Sequence, residues 1–539
     1  MTDKRRDSDP IIPQSLKGSY DTIVVGGGSS GCALAARLSE DSSRSVLLLE
    51  AGSDYPDLES MPEELKHPEG HTVVDPRFVS SYQGAPLPGG DPSLTFLRGK
   101  VIGGSGAVNG SAFLRGLPED YDSWGSPLWS WDAVLPAFRR LETDQDFTDS
   151  WHGTEGPIGV RRYPRDQWMP HHEALYQAAV KMGFPEKADM NDPVGFGVGP
   201  TPRNFGDGLR ASAAIGYVLP ARERPNFTVQ GDCTVTRILF EGTRAIGVEA
   251  RHNGQTIRIE GDEIILSAGA ISSPQLLMLS GVGPADELRA LGIDVVAELP
   301  GIGKSFTDHP SAAVEFEPRP GAEYPSDCVS SSVTLICTAD GSPTRNDLHI
   351  IIPVMPPVEE PGGAQWPMTF SVDLGLPESR GELRLASADP DDAPVVEFNY
   401  LREERDRARL REGVRLCVEL ASQSEFDSII ARRVSPLDAD LASDAALDRW
   451  LEANIGTYYH TCGTCSMGSP SDPMAVVDDH CRVLGVEGLR VVDLSVVPTV
   501  MRANTNSTAI MVGERAAEII RSERPETSTV SAMSGAERS

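Results

Sequence analysis

The stretch DTIVVGGGSSGCALAARLSEDSSRSVLLLEAG, residues 21–52, decides the fold of this chain. Its first apolar run, residues 22–25, predicts a buried parallel strand, and the small and apolar residues 32–38 predict the helix that follows. A second apolar run, residues 46–49, ends in Glu50. With G-x-G-x-x-G between the first strand and the helix, the stretch is a complete βαβ unit of the kind that binds dinucleotides.

The glycines of this turn have separate tasks. Gly26 allows the tight turn, Gly28 lets a pyrophosphate approach the backbone, and Gly31 lets the helix pack closely against the strand. The N–H groups at the helix start, around Ser29 and Ser30, would bind the phosphates, helped by the positive end of the helix dipole. A glycine-rich turn without a ligand is the alternative, and the complete βαβ unit disfavours it.

Glu50 lies at the end of the second strand, where an acidic side chain accepts hydrogen bonds from the adenosine ribose. An arginine would be expected nearby if the ligand carried a 2′-phosphate. The residues of this unit therefore predict NAD or FAD and leave the choice between them open.

The composition indicates a globular protein with a strongly acidic surface. The 539 residues leave room for two or three domains, and the formal charge is −31, from 79 acidic and 48 basic side chains. Such a surface repels nucleic acid, so no nucleic-acid partner is expected. No apolar run has the length of a membrane span, and no secretory signal is evident, so no integral membrane segment is expected. Eight scattered cysteines favour a cytoplasmic location over a disulfide framework.

A second glycine-rich stretch, RGKVIGGSGAVN at residues 98–109, predicts backbone held close to something flat or to another backbone. It lacks the Gly-Lys-Ser/Thr of a phosphate-binding Walker loop. Hydrophobic periodicity predicts helices over residues 131–141, 172–182, 406–424 and 507–521, and one beginning at 274. The predicted strands cover residues 227–230, 235–240, 245–251, 256–259, 264–267, 332–336, 348–354 and 491–493.

Three further stretches carry a family resemblance. Residues 99–113 (GKVIGGSGAVNGSAF) and 269–283 (GAISSPQLLMLSGVG) resemble the two signature patterns of the glucose–methanol–choline (GMC) oxidoreductases. Residues 460–468, with 489–515, resemble the C-terminal block of that family, most of all its choline dehydrogenase and bacterial alcohol dehydrogenase branch. A smaller similarity covers residues 299–310 (LPGIGKSFTDHP). The motifs occur in the family's order along nearly the whole chain.

The resemblance implies an α/β fold (α+β overall) in which a discontinuous Rossmann-type FAD-binding domain is interleaved with a substrate-binding domain of antiparallel sheet and helices. The implied FAD-binding domain covers residues 18–150, 205–310 and 450–521, and the substrate-binding domain 151–204 and 311–449. Residues 1–17 are expected to be flexible, and 522–539 to form a disordered tail.

The resemblance also implies the residues of the site. His460 matches the catalytic base of the family, and Asn504 matches the second active-site position, which hydrogen-bonds the substrate oxygen. The cofactor-binding positions, beside the six residues of the first βαβ unit, are Val101, Gly104, Ser105, Asn109, Val235, Asp493 and Thr505. The start of the last helix, near Thr505, would stabilise negative charge on the reduced flavin. A helix-capping role for Asn504 and a turn role for Asp493 remain open alternatives.

The mode of FAD attachment follows from the same resemblance. Val108 stands where some family members carry the histidine that binds FAD covalently, so non-covalent FAD is expected.

Two pairs of cysteines and histidines could suggest a metal or redox site. Cys462 and Cys465 form a C-x-x-C without a second such pair, and packing is favoured over a redox or zinc role. The adjacent His171 and His172 are expected at the solvated surface. No metal site is predicted.

The implied reaction is the oxidation of a primary alcohol to an aldehyde, with proton abstraction and hydride transfer to flavin N5. Oxygen, a quinone or another carrier would then accept the electrons. Two alternatives remain: a relative that uses FAD as a lyase or light-driven decarboxylase, and a non-catalytic flavin-binding protein. The presence of both His460 and Asn504 disfavours the second.

Overall fold

The structure is a computed structural model that describes residues 16–67, 72–319, 332–353, 358–360, 363–365 and 368–523, the two short ranges as backbone only. The flexible lead expected over residues 1–17 therefore lies almost wholly outside the described residues, as does the tail expected over 522–539. The last helix, Asn506–Glu523, ends two residues inside that expected tail.

The first large sheet has seven strands and contains the βαβ unit. Its order is Phe227–Gln230, Val46–Leu49, Ser19–Val25, Gln255–Leu266, Arg244–His252 and Cys233–Glu241, and Leu489–Val491 also pairs with Gln255–Leu266. The first four strands and Leu489–Val491 run parallel, and the last two continue as antiparallel hairpins. The four-residue strand of the βαβ unit, Val46–Leu49, is buried at every position, as expected for a parallel sheet covered on both faces.

One expectation for this sheet is wrong. Residues 256–259 and 264–267 were expected as two strands, because the polar residues between them interrupt the apolar pattern. They belong to a single strand, Gln255–Leu266. Its first half pairs antiparallel with Arg244–His252 and its second half parallel with Ser19–Val25, so both halves are hydrogen-bonded to different partners.

The second large sheet is antiparallel. Its order is Ile430–Ser435, Pro310–Pro318, Met368–Leu374, Leu348–Ile351, Val333–Cys337 and Gly197–Pro200, with Gly456–Thr457 also paired to Pro310–Pro318. The long helix Glu404–Ala421 packs against this sheet. A four-stranded sheet of Val79–Ala85, Leu94–Gly99, Glu382–Arg384 and Val395–Glu397 joins early and late parts of the chain.

The remaining elements are short strands and helices. The other strands are Glu142–Asp144, Ile158–Val160, Phe205–Gly206, Leu209–Arg210, Val282–Gly283, Ala297–Glu298, Val358–Glu360 and Gly363–Gln365. The other α-helices are Ser29–Leu38, Glu63–Lys66, Ser105–Val108, Pro118–Asp122, Trp131–Leu141, Pro170–Lys181, Leu219–Ala221, Gly269–Leu279, Ala285–Ala290, Asp438–Leu441 and Asp444–Asn454. Short 3₁₀ or π turns are Arg165–Gln167, Ala214–Val218, Ser424–Phe426 and Leu494–Val496. Within the described ranges, no helix is both long enough and apolar enough to cross a membrane.

Two helices from opposite ends of the chain pack side by side. Ser30 Oγ in Ser29–Leu38 donates to Ala509 O in Asn506–Glu523 at 2.7 Å. A Cβ on Gly513 would collide with the backbone oxygen of Ser30, so the glycine allows this close approach. Ser29 Oγ also donates to Asn506 Oδ1 at 2.8 Å. The two helices therefore begin next to each other, at the edge where the parallel strands end.

The expectation that His171 and His172 lie at the surface is wrong. The two side chains are 3% and 0% exposed, and their ring centroids are 4.2 Å apart. Their helix, Pro170–Lys181, packs both against the antiparallel sheet and against helix Glu404–Ala421, so more than one face of it is covered. His172 Nε2 lies 2.9 Å from Ile352 O. Burial lowers the pKa of His172 to about 4, so its neutral form is the stable one.

The expectation that Cys462 and Cys465 are packing residues agrees with their surroundings. Both thiols are fully buried and neither forms a disulfide. Burial raises the pKa of both thiols above its usual value. The reactive thiolate is therefore disfavoured at both positions.

Candidate active site

A cavity of about 730 Å³ lies at the carboxyl ends of the parallel strands. Its wall includes the strand-end residues Val25 and Leu49, together with Ser267 and Asp493, which follow two further strands. This is the edge at which open α/β sheets bind their ligands. The volume lies within the range of small-molecule and cofactor sites.

The cavity brings together most of the residues predicted from the sequence. Thirteen of the fifteen line it: Gly26, Gly28, Ser29, Ser30, Glu50, Gly104, Ser105, Asn109, Val235, His460, Asp493, Asn504 and Thr505. The other two lie behind the wall. Gly31 packs against Gly26, with no room for a Cβ, and the fully buried Val101 pairs with Ser53 in an isolated bridge.

The two glycine-rich stretches form one wall by backbone contact. Gly103 N donates to Gly27 O at 2.7 Å, and a Cβ on Gly104 would lie 2.7 Å from Gly28 Cα. Gly26 has a φ of +105°, and a Cβ there would lie 2.5 Å from Ser267 O. Gly28 is different, because a Cβ added to it would meet only Ser267 O, at 3.9 Å. The backbone of Gly28 is therefore open to the cavity.

Two helices begin at this cavity, Ser29–Leu38 and Asn506–Glu523, and neither has an acidic residue in its first turn. Their unpaired N–H groups and positive dipole ends favour an anion there. Together with the open backbone of Gly28, this arrangement fits the pyrophosphate of a dinucleotide.

Glu50 and Asp493 have carboxylates held in place by backbone donors. Glu50 accepts from Gly27 N and Gly52 N, each at 2.8 Å, one on each oxygen. Each oxygen retains acceptor capacity for a ribose hydroxyl. Burial raises the pKa of Glu50 to about 7. Asp493 accepts from Gly269 N at 2.8 Å and from Ser495 N at 2.8 Å, so it both lines the cavity and caps the turn that follows it.

His460 lies on the wall with one ring nitrogen toward Asn504 and the other toward His309. The distances are 3.4 Å from His460 Nε2 to Asn504 Nδ2 and 2.8 Å between the two histidine Nδ1 atoms. With the amide nitrogen of Asn504 as donor, Nε2 is the acceptor and the His460 proton sits on Nδ1, which donates to His309. The unprotonated Nε2 is thus the nitrogen beside Asn504.

The electrostatic surroundings of His460 favour the neutral ring. Burial, and then the neighbouring His309, Arg98 and His349, hold the pKa of His460 well below its usual value. Burial also lowers the pKa of His309 to about 3. Both imidazoles are therefore neutral near pH 7, and a neutral imidazole is able to accept a proton.

The backbone around His460 is fixed by residues that the sequence analysis did not assign. Asp308 Oδ1 accepts from His460 N at 2.5 Å, and its Oδ2 accepts from Tyr400 OH at 2.6 Å. Arg98 donates to Tyr459 O at 2.7 Å and to the Thr461 side chain, on either side of the histidine.

Tyr458 and His309 were also missed. The Tyr458 ring meets the His460 ring edge to face at 4.7 Å, and its hydroxyl interacts with Asn504. Asp308 and His309 lie in the stretch 299–310, whose family similarity was noted without a role. Their separation of 151 residues gives no local pattern that could predict the contact between His309 and His460. The family similarity of residues 299–310 was the one signal in the sequence that could have drawn attention to His309.

The parallel sheet, its glycine loops and the histidine–asparagine pair define a Rossmann-type oxidoreductase. The sequence patterns of the GMC oxidoreductase family match residues 20–311 with their N-terminal part and 377–513 with their C-terminal part. The chain belongs to this family. It is therefore an FAD oxidoreductase. Membership of the family thus decides between NAD and FAD, the two dinucleotides that the βαβ unit left open.

Similar proteins cover nearly the whole chain. An uncharacterized GMC-type oxidoreductase from the thcA 5′ region of Rhodococcus erythropolis is 39% identical over 503 residues, covering 93% of this chain and 98% of that one. The oxygen-dependent choline dehydrogenase of Brucella ovis is 38% identical over 536 residues, covering 94% and 96%. The crystal structure of pyridoxine 4-oxidase from Mesorbium loti has a TM-score of 0.86 at 29% identity, covering 94% and 100%.

The open backbone at Gly28 generates a first prediction. Gly28→Val should leave the fold intact, because the φ of −79° suits valine and the added Cβ meets no atom closer than 3.9 Å. Its side chain should occupy the pyrophosphate position and reduce bound FAD at least ~10-fold. The flavin content of the purified protein and its thermal melt measure both effects.

Gly31→Val is the matched control, in the same turn but facing the strand. Its Cβ would collide with the backbone oxygen of Gly26, so it should lower stability by about 1–3 kcal/mol. A Gly28→Val protein that retains one FAD per chain would contradict the placement of the phosphates.

Proposed function

We propose that this FAD oxidoreductase oxidises a primary alcohol to an aldehyde, with His460 as the base and Asn504 as its hydrogen-bonding partner. One observation carries the proposal. The two side chains approach to 3.4 Å on the wall of the same cavity that contains the dinucleotide loop. The retention of both members of the pair supports catalysis over flavin binding alone.

In the proposed reaction, Nε2 of the neutral His460 takes the proton of the substrate hydroxyl. The Asn504 amide donates a hydrogen bond to the same oxygen as negative charge develops on it. FAD, when bound, supplies the hydride acceptor for the carbon that carries the oxygen. The N–H groups at the start of Asn506–Glu523 stabilise negative charge at the cavity wall.

His309 has a positioning role in this proposal. By accepting from His460 Nδ1 at 2.8 Å, it keeps the second proton of the ring away from Nε2. Asp308 and Arg98 hold the backbone on which His460 is carried, through His460 N and the neighbouring Tyr459 O. The base therefore starts in the correct tautomer and orientation.

The remaining residues and boundaries are part of the same proposal. The cofactor positions would hold FAD as the sequence motifs imply, with Glu50 toward the ribose and Gly28 toward the pyrophosphate. The FAD-binding domain (18–150, 205–310 and 450–521) would carry the parallel sheet, and the substrate-binding domain (151–204 and 311–449) the antiparallel one. Pairing of Gly84 with Val396 links the two proposed domains. We also propose a cytoplasmic location, supported by the scattered cysteines.

The electron acceptor in this proposal is oxygen, a quinone or another carrier. The names of the Brucella ovis oxygen-dependent choline dehydrogenase and of pyridoxine 4-oxidase support the oxidation of an alcohol. Admission of air to the alcohol-reduced protein distinguishes oxygen from the other acceptors.

Non-covalent attachment of FAD is a second prediction. Val108 offers no nucleophilic atom at the position where some relatives bind the flavin through histidine. Acid precipitation should therefore release essentially all the yellow chromophore into the supernatant as intact FAD. Chromatography of the supernatant and the absorbance of the pellet check this, and flavin retained in the washed pellet would contradict it.

The histidine–asparagine pair generates a third prediction. His460→Ala should slow anaerobic flavin reduction by an alcohol ~10²–10⁴-fold while FAD stays bound, because it removes the proton acceptor. Asn504→Ala should cost roughly 10²-fold or less, because it removes one hydrogen bond to developing charge. Stopped-flow absorbance measures both rates. Reduction of His460→Ala at the wild-type rate would refute the mechanism.

The pH dependence of flavin reduction forms a fourth prediction. The low pKa of His460 means that its neutral, proton-accepting form is already present at pH 7. The rate should rise with pH through a single ionisation below pH 6.5 and be level above it. A rate that continued to rise between pH 7 and 9 would assign the base to another group.

A further inference from the structure

Two positive side chains lie at the catalytic end of the cavity. Arg203 and Arg98 line the wall together with His460 and His349. Burial lowers the pKa of His349 to about 4, so that ring is neutral near pH 7 and adds no charge. Arg203 is 1% exposed, donates to Gly110 O and interacts with the phenols of Tyr163 and Tyr458. Burial lowers the pKa of Arg203 to about 10. This value is still well above 7, so the guanidinium remains charged near neutral pH.

The carboxylates of the cavity wall lie elsewhere. Glu50 is bound to Gly27 N beside the first strand, and Asp493 to Gly269 N at the start of another helix. The exposed Asp391 is paired with Arg251. In the part of the chain that the structure describes, the wall residues include no further acidic side chain.

Two acidic side chains lie near His460 but behind the wall. Asp308 is fully engaged by His460 N, Tyr400 OH and Thr457. Asp373 accepts from Ser371 Oγ at 3.1 Å, and burial raises its pKa to about 7, so only part of its population is ionised at neutral pH. Neither is among the residues that line the cavity. They do not present a carboxylate to a bound substrate.

A quaternary ammonium group is recognised by aromatic faces or carboxylates. The wall carries Tyr82, Tyr458 and Tyr459. One face of Tyr82 is covered by Phe96 at 5.5 Å, Tyr458 meets the His460 ring edge to face at 4.7 Å, and Tyr459 is 47% exposed to solvent. A cation placed against Tyr458, beside His460, would also face the Arg203 guanidinium, which interacts with the same phenol. Like charges repel strongly in a medium of low dielectric constant.

We propose that the substrate is an uncharged or anionic primary alcohol, and that Arg203 excludes cationic alcohols of the choline type. The inference rests on the proposed alcohol oxidation at His460 and narrows its substrate class. It separates this chain from the choline dehydrogenase named above, despite 38% identity.

Isosteric alcohols test the proposal with the holoenzyme. Choline and 3,3-dimethyl-1-butanol have the same shape and differ in charge, and 4-hydroxy-2,2-dimethylbutanoate supplies an anion of similar size. In stopped flow at about 0.3 M salt, which screens the acidic surface, the neutral alcohol should reduce the flavin at least ~10-fold more efficiently than choline. Choline reacting as efficiently as its neutral isostere would overturn the proposal.

Two variants of Arg203 connect the selectivity to that side chain. In Arg203→Gln the efficiencies of flavin reduction by the neutral alcohol and by choline should agree to within about 3-fold, because the positive charge is removed. Arg203→Lys keeps the charge and should keep the ratio. If a folded, FAD-loaded Arg203→Gln protein keeps the wild-type ratio, Arg203 is not the cause of the discrimination against choline. If that variant does not fold, the wild-type comparison still decides the charge preference.

Binding to the His460→Ala holoenzyme separates this inference from the proposed function. Choline, the neutral alcohol and the anion are titrated while the flavin spectrum and the melting temperature are followed. Weaker binding of choline than of both other probes supports the charge preference, whether or not an alcohol reduces the wild-type flavin. Failure of every alcohol to reduce the wild-type flavin would refute the proposed function alone. Tighter binding of choline than of the neutral alcohol would overturn the charge preference alone.

Discussion

The contact between two glycine-rich backbones is the constraint on which the rest of the structure depends. Gly103 N donates to Gly27 O at 2.7 Å, and a Cβ on Gly104 would lie 2.7 Å from Gly28 Cα. A side chain at Gly104 would therefore push the loops apart, whereas Gly28 faces the open cavity. Because the loops stay bare, two helix starts and the ends of the parallel strands reach the same ligand position.

The protonation state of His460, the proposed base at the other end of the cavity, depends on burial. A histidine removed from water loses stabilisation of its charged form, and the nearby His309 and Arg98 add to this effect. The same burial obliges the surrounding polar groups to be hydrogen-bonded, and Asp308 satisfies His460 N while it accepts from Tyr400. The neutral state of His460 and the fixed position of its backbone therefore have a single physical origin, the burial of the side chain.

The cavity wall combines two kinds of group. The glycine loops, Glu50 and the histidine–asparagine pair are the positions that the family motifs predicted from the sequence, whereas Arg203 was not among them. Arg203 lies on the wall and interacts with Tyr458, so under the charge preference proposed above it would set the charge that a substrate meets. Substrate choice could then change at this position without disturbing the loops that are proposed to hold the cofactor.

The sequence by itself determined the βαβ unit, the family and thirteen of the residues that line the cavity, because local spacing and motif order carry that information. Only the tertiary structure decided what meets across the chain. It joined residues 255–266 into one strand by pairing its halves with different partners, and it buried His171 and His172 beneath a sheet. It also placed His309 against His460, a contact across 151 residues. Local pattern cannot specify such contacts, because they are set by packing between elements distant in the sequence.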